Sequence, residues 1–227
     1  VSLFTGRLPA LALLCATLTP LDASTASSRE WRFEVFLDDK PIGFHHFQLD
    51  SSGDTHQLRS EARFRVKVLG LIVYEYTHQS DEQWRHDCLQ RIEASTDNNG
   101  KDFFVRGNSN SEMLLLESQA GNTDLRGCVM TFAYWNPAIL EKQRLLNAQT
   151  GEYLDVTVQP LGEMMLRMQE REVTARHYRI RAGDRDIDLW YSTDSDWLAL
   201  SSTTSSGRLL HYRRTPDPVD MRGSAGE

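Results

Sequence analysis

An all-β, mainly antiparallel fold is predicted: a strongly curved sheet or barrel-like fold with one principal helix (about 136–146) packed at its mouth. Three observations carry this. From Trp31 onward apolar and polar residues alternate in period two, the pattern of strands with one buried face. Turn signals recur roughly every ten residues. The resulting count, about ten to twelve strands, exceeds what one open flat sheet holds before it curls, closes or splits.

Trp31, Phe33, Val35 and Leu37 share one face of the first strand. Asp38-Asp39-Lys40-Pro41 is a turn, and 42–49 returns as the second strand of a hairpin closed by Ser51-Ser52-Gly53-Asp54. The third strand is the clearest: Leu58, Ala62, Phe64, Val66 and Val68 point one way, and Arg59, Glu61, Arg63, Arg65 and Lys67 the other. Gly70 breaks that run. The stretch 74–84 resumes it, with Tyr74, Tyr76 and His78 on one side and Glu75, Thr77 and Gln79 on the other.

Asn98-Asn99-Gly100 is a type I′ hairpin signal joining 89–96 to 101–106. A short strand at 112–118 precedes a polar loop that ends at Gly127. After 128–134 the period changes. In Trp135-Asn136-Pro137, Asn136 is a helix cap and Pro137 a first helical position, so a helix is expected to about Leu146. Strands resume at 153–161, 173–182, 186–192, 197–202 and 209–213, separated by turns rich in Gly, Asp and Ser.

The chain has 227 residues, enough for a sizeable core in one domain. Residues 1–26 read as a signal peptide: Arg7, then an apolar run over 8–18, then Ala23-Ser24-Thr25-Ala26. The run is too short to span a bilayer. Residues 27–214 read as a single antiparallel β domain, and 215–227, rich in Pro, Gly and charge, as a disordered tail. The expected location is the periplasm or exterior of a bacterium, with no transmembrane span in the mature form. A formal charge of −7 argues against a nucleic-acid-coating role unless one face is locally basic.

Cleavage of the leader removes Cys15 and leaves Cys88 and Cys128, which in an oxidising compartment form a disulfide. The alternatives are a metal site using His86, Asp87 and Cys88, or a redox pair. The chain has no Cys-x-x-Cys, which favours neither.

Catalytic motifs are sparse. His45 and His46 are adjacent, and on a strand they face opposite ways, which keeps them from gripping one metal ion. His78, Asp81, Glu82 and His86 lie close in sequence without a zinc-site spacing. There is no Gly-x-Ser-x-Gly, and Ser192, Ser195 and Ser201 stand in or beside turns. Asp186 and Asp188 share a strand face, a pattern open to glycan hydrolysis and also to turn chemistry. No catalytic residue, metal or cofactor is assigned.

Two features point to binding. Arg63, Arg65 and Lys67 form a cationic stripe suited to an anionic head group, or to an ordinary wet strand face. Aromatics cluster around the expected helix and its neighbours, where they fill a core or line a cavity. The candidate ligand-binding residues are Tyr74, Tyr76, Tyr134, Trp135, Arg63 and Arg65.

The stretches 31–43 (WRFEVFLDDKPIG), 128–137 (CVMTFAYWNP), 145–151 (LLNAQTG) and 188–191 (DLWY) resemble an uncharacterised bacterial family, the domain of unknown function 6134, over about residues 31–213. The Tyr-Trp-Asn-Pro block is the most specific element. The resemblance implies an exported β-rich protein and brings no activity, substrate or catalytic residue. A looser likeness, of fold only, is to envelope proteins whose curved sheet wraps a helix, as in lipoprotein and lipid carriers. The leading functional expectation is an exported, non-catalytic binding protein that holds a lipid or other amphiphilic envelope ligand in its cavity. The alternatives are a structural or protein-interaction role in the envelope, and a hydrolase or isomerase acting on envelope carbohydrate or lipid with His45, His78 or an Asp pair.

Overall fold

The computed structural model describes residues 26–110, 112–169, 171–204 and 206–215. Apart from Ala26 and Thr215, the expected signal peptide (1–26) and tail (215–227) lie outside the described residues. Fourteen strands form one antiparallel sheet: β1 (Ser27–Leu37), β2 (Lys40–Ser52), β3 (Thr55–Val68), β4 (Leu71–Arg85), β5 (Cys88–Asn98), β6 (Asp102–Ser109), β7 (Met113–Ser118), β8 (Gly121–Arg126), β9 (Arg144–Leu146), β10 (Tyr153–Met168), β11 (Arg171–Ala182), β12 (Arg185–Ser192), β13 (Trp197–Thr203) and β14 (Leu209–Arg214).

Consecutive strands pair throughout except β8 with β9, and β1 also pairs with β14, from Phe33↔Arg214 to Leu37↔Leu210. Two meanders, β1 to β8 and β9 to β14, are thereby fused side by side with β1 near the middle. The strand order begins at β8 and ends at β9, so the sheet is not closed. Its edges are poor templates for pairing with another chain: β9 has three residues, and β8 carries Asn122, Thr123, Asp124 and Arg126.

Register irregularities at Val35/Phe36, Val66/Lys67, Gln83/Trp84, Pro160/Gly162 and Trp190/Tyr191 bend the strands and give the sheet a concave face. Gly43 is required beside one of them, because a Cβ there would lie 1.8 Å from the Arg63 carbonyl oxygen. Trp31, Phe33, Val35 and Leu37 of β1 are all buried, as expected, and past the bulge Phe36 on the other face is buried as well, stacked on His211. In β3, Leu58, Ala62 and Phe64 are buried, but after the bulge Val68 turns out to solvent.

The expected helix at 136–146 is replaced by something shorter. Asn136 does act as the cap, accepting from the Ala138 backbone N–H, and Pro137 does occupy the first turn, but only a 3₁₀ helix forms, Pro137–Glu141. Lys142 leaves it in an extended conformation. Leu145 and Leu146 are fully buried, and they reach the core by pairing as β9 with Leu154 and Tyr153. Tertiary burial overrides the local helical pattern. The loop expected before Gly127 contains β8, which shows no alternation because its role is backbone pairing with β7. The described residues contain no helix long and apolar enough to cross a membrane.

Between β8 and β9 the chain forms a strap across the concave face. Cys128 is joined to Cys88 by a disulfide, as expected. The Val129 carbonyl accepts from Leu89 N–H, and Met130 and Phe132 exchange backbone bonds with Leu146. At its far end Tyr191 Oη donates to the Tyr134 carbonyl at 2.8 Å. The strap thus ties β5 to β12 through the interior. Val129, Met130 and Ile139 are buried in the main core with Trp31, Phe33, Trp84 and Trp197.

Candidate functional site

On β4 the inward parity is set by Tyr76 and Trp84, both buried. The residues between them at the same parity are His78, Ser80 and Glu82, and all three are buried as well. A polar row at core positions conflicts with ordinary strand patterning and marks a functional candidate. The neighbouring strands extend it. Ser60 of β3 faces Ser80, Thr96 of β5 faces His78, and His45 of β2 is two strands away in the row of Ala62 and His78.

Hydrogen bonds satisfy most of these groups. His45 Nε2 is 2.8 Å from Ser60 Oγ, and its Nδ1 is 3.3 Å from Tyr212 Oη. Its imidazole stacks on Phe47 with centroids 4.0 Å apart. His78 Nδ1 lies 2.9 Å from Thr96 Oγ1, which donates to the Gln149 carbonyl. Glu82 accepts from Trp84 Nε1 at 3.1 Å, from Thr131 Oγ1 at 3.2 Å and from Ser80 Oγ at 3.4 Å.

Burial governs the protonation states. Loss of hydration holds the His45 imidazole well below its usual value and His78 down to about 4, so both rings are neutral at pH 7. Burial pushes the Glu82 carboxyl up to about 7 despite its three donors, and neighbouring Asp81 adds to the rise. Tyr134, Tyr191 and Tyr212 are pushed upward by burial and stay protonated.

The strap supplies the opposite wall. Phe132, Ala133, Tyr134 and Trp135 face the polar row across a cavity of about 310 Å³, completed by Ala148, Leu154 and Ile187 and by the turns at 147–152 and 183–185. Trp135 packs edge-on against Trp84 with centroids 5.7 Å apart, and its Nε1 is buried without a hydrogen-bond partner among the described residues. The site therefore has a polar floor and an aromatic roof. A larger groove of about 620 Å³ lies on the outer face, but its walls carry exposed charges that neutralise one another, such as Arg59 with Asp81 and Arg32 with Glu30. That is a solvated surface rather than a pocket.

Of the residues singled out from sequence, Tyr134 and Trp135 line the cavity. Tyr76 belongs to an adjacent apolar cluster with Val35, Ala62 and Phe64, and Tyr74 packs at its margin while donating to Asn98 Oδ1. Arg63 and Arg65 point to the outer face, where they pair with Glu61 at 3.2 Å and Glu75 at 2.6 Å. They do not join the cavity. His45 faces inward and His46 outward, as period two requires. Within the cluster expected around His78, Glu82 faces inward with it, while Asp81 and His86 lie outside, His86 3.5 Å from Asp54. Asp186 and Asp188 are bound by Arg181 and Arg179, both at 2.9 Å, which holds the Asp186 carboxyl below its usual range. Ser192 and Ser195 serve the turn before β13, accepting from Asp196 N–H and Arg176.

Ser60, Ser80, Thr96 and Thr131 belong to no motif legible in the sequence, and Glu82 stands there only within a loose cluster. The signal for Ser80 and Glu82 was present: once Tyr76 and Trp84 are placed inward, parity places 78, 80 and 82 inward too. Thr131 had no such signal, since the strap has no period.

Among solved structures, the chain is similar to a crystal structure of a beta-barrel-like protein of domain of unknown function DUF1849 from Brucella abortus, with a TM-score of 0.61 over 82% of this chain and 94% of that one. At 10% identity this likeness concerns the fold alone. No curated protein matches. A family profile described as domain of unknown function (DUF6134) matches residues 33–215, nearly the whole of the β-sheet domain including the strap and both walls of the cavity, and the chain belongs to that family.

Proposed function

We propose that this protein is an exported, non-catalytic binding module that holds a small amphiphile between the polar row of β2 to β5 and the aromatic strap. One observation carries the reading: a cavity inside a curved sheet with hydrogen-bonding groups on one wall and Phe132, Tyr134 and Trp135 on the other. Its volume, about 310 Å³, lies at the lower end of the range for small-molecule sites. The ligand is therefore a compact molecule with one polar end rather than a whole diacyl lipid. His45 and His78 are neutral and already hydrogen-bonded within the protein, so this wall carries no cationic imidazole and suits an uncharged polar group. The Cys88–Cys128 disulfide supports an oxidising compartment.

The test is native mass spectrometry of the detergent-free protein beside an Ala148→Phe variant that fills the cavity. A reproducible small adduct on the wild type, absent from the variant at unchanged melting temperature, is the expected result. An adduct-free wild type, or an adduct the variant retains, overturns the reading.

A second reading, proton transfer to or from the bound ligand, is favoured by Glu82, whose carboxyl near pH 7 is matched to acid–base work. Turnover of an extracted ligand with a pH profile that Glu82→Gln abolishes supports it. Ligand recovered unchanged after incubation with the apo protein rejects it.

A further inference from the structure

The hairpin of β3 and β4 breaks two rules at once. Its turn is Leu69-Gly70, with φ of 51° at Leu69 and 83° at Gly70. A left-handed backbone at the first position is disfavoured for leucine and ordinarily filled by Asn, Asp or Gly. The same leucine is 99% exposed, and Val68, Leu71, Ile72 and Val73 around it are each more than half exposed. An exposed apolar turn in a strained conformation has no folding rationale, and such conflicts concentrate at functional positions.

The hairpin also projects. Its last registers with its neighbours are Gly43↔Phe64 toward β2 and Tyr76↔Asn98 toward β5. Beyond them β3 and β4 pair only with each other, and the bulge at Val66/Lys67 makes Val73 an extra residue. Four further residues of β3 (65–68) carry the tip roughly 13 Å past those registers, at about 3.3 Å per residue, clear of β5 on one side and flanked on the other by residues 40–42 of β2, which stand across a groove without pairing.

Cations sit at its base. Lys40, Arg65, Lys67 and Arg208 line one groove with Ile42 and Val66. Arg65 is paired with Glu75 and Arg208 with Asp38, whereas Lys40 and Lys67 make no ion pair among the described residues. An apolar tip above a cationic collar, on a chain of net charge −7, is locally complementary to an anionic bilayer surface. The tip is long enough to enter the interfacial layer and far too short to span.

We infer that the 68–73 tip inserts into the interfacial layer of an anionic membrane, with Lys67 and Lys40 at head-group level. It sits at the same end of the strands as the 147–152 and 183–185 turns that line the cavity, so docking would present that cavity to the membrane. The inference does not rest on the cavity reading, since it is read out by vesicles and not by an adduct.

The experiment is co-sedimentation of the whole protein with vesicles of equal parts phosphatidylglycerol and phosphatidylcholine, or of phosphatidylcholine alone. The wild type is expected to bind the anionic vesicles. Leu69→Glu with Leu71→Glu is expected to weaken binding by at least about tenfold, and Lys67→Glu by about fivefold or more. Met164→Glu with Met165→Glu, on an exposed apolar stretch of β10 toward the other end, is the matched control and is expected to bind like the wild type. A Leu69→Trp variant reports insertion directly, through quenching by brominated lipid beyond that of the native tryptophans. Equal binding by the tip and control variants, or no added quenching at position 69, overturns the inference. So does a dimer, seen by light scattering, that the tip glutamates dissociate while vesicle binding persists, because the patch then covers a second copy of the chain.

Discussion

At one end of the strands the molecule is tied shut, and at the other it is left open. The closed end holds the Cys88–Cys128 disulfide, the Trp84–Trp135 contact and the Tyr191 bond to the strap, and it buries Trp197 completely. The open end holds the cavity-lining turns and two hairpins of nearly the same backbone, Asn99-Gly100 (φ 57° and 82°) and Leu69-Gly70 (φ 51° and 83°). Asn99 suits its turn and accepts a hydrogen bond from Glu75 N–H, while Leu69 strains its turn and touches solvent. The contrast teaches that stability is concentrated where the strap crosses, and that the opposite end sacrifices some of it for exposed function.

The largest expected effect tests the closed end. Replacing Cys88 and Cys128 by serine removes a crosslink over 40 residues and is expected to lower stability by about 4 kcal/mol in urea unfolding. A loss below about 1 kcal/mol would mean that the strap holds without its bond.

Between the two ends, Glu82 ties the polar row to the strap through Thr131. Its folded value near 7 lies above the 4.5 of an unperturbed glutamate, so the folded state keeps a proton that the unfolded chain releases. That contribution is full below pH 4.5 and is lost as pH rises through 7. His78 has the opposite sign: with a folded value near 4 against 6.5, its contribution is present above pH 6.5 and lost as pH falls through 4. Glu82→Gln removes the first dependence and leaves the second. Its stability relative to wild type is expected to rise by about 3 kcal/mol between pH 4.5 and 7.5, measured by urea unfolding across that range. A flat difference would place the proton elsewhere.

Smaller effects sharpen the comparison of the two hairpins. Leu69→Asn is expected to stabilise the fold by about 1 kcal/mol by relieving the left-handed leucine, and Asn99→Leu to destabilise it by at least that much. Equal and same-signed changes in thermal unfolding would erase the distinction. The smallest effect is expected at Trp135→Phe, which deletes a buried N–H lacking a partner. Stability should change by no more than about 0.5 kcal/mol, because relief of the unpartnered N–H offsets the packing lost against Trp84.

Much of this architecture was legible in the chain. Alternation in 31–37 and 58–64 identified the buried faces because a pleated strand converts sequence parity directly into side. The Asn99-Gly100 turn was legible because few residues adopt that backbone, and Tyr134 and Trp135 stood out as aromatics beside a cap. The extent of the helix expected at 136–146 is not legible, because a cap and a proline specify only where a helix starts. What ended it was the burial of Leu145 and Leu146, decided by strands distant in sequence. Arg63 and Arg65 looked like ligand contacts only while the face holding the cavity was unknown.

By itself, then, the sequence determined the all-β class, the inward parity of each well-patterned strand, the pair of cysteines and the family, because all of these are local patterns or counts. The tertiary structure decided the rest: that β1 pairs with β14, that the strap crosses the concave face, and that His45, Ser60, His78, Glu82 and Thr131 converge on one cavity. Residues 45 and 131 are brought together by strand order and chain crossing, and no local periodicity encodes a contact between positions so far apart.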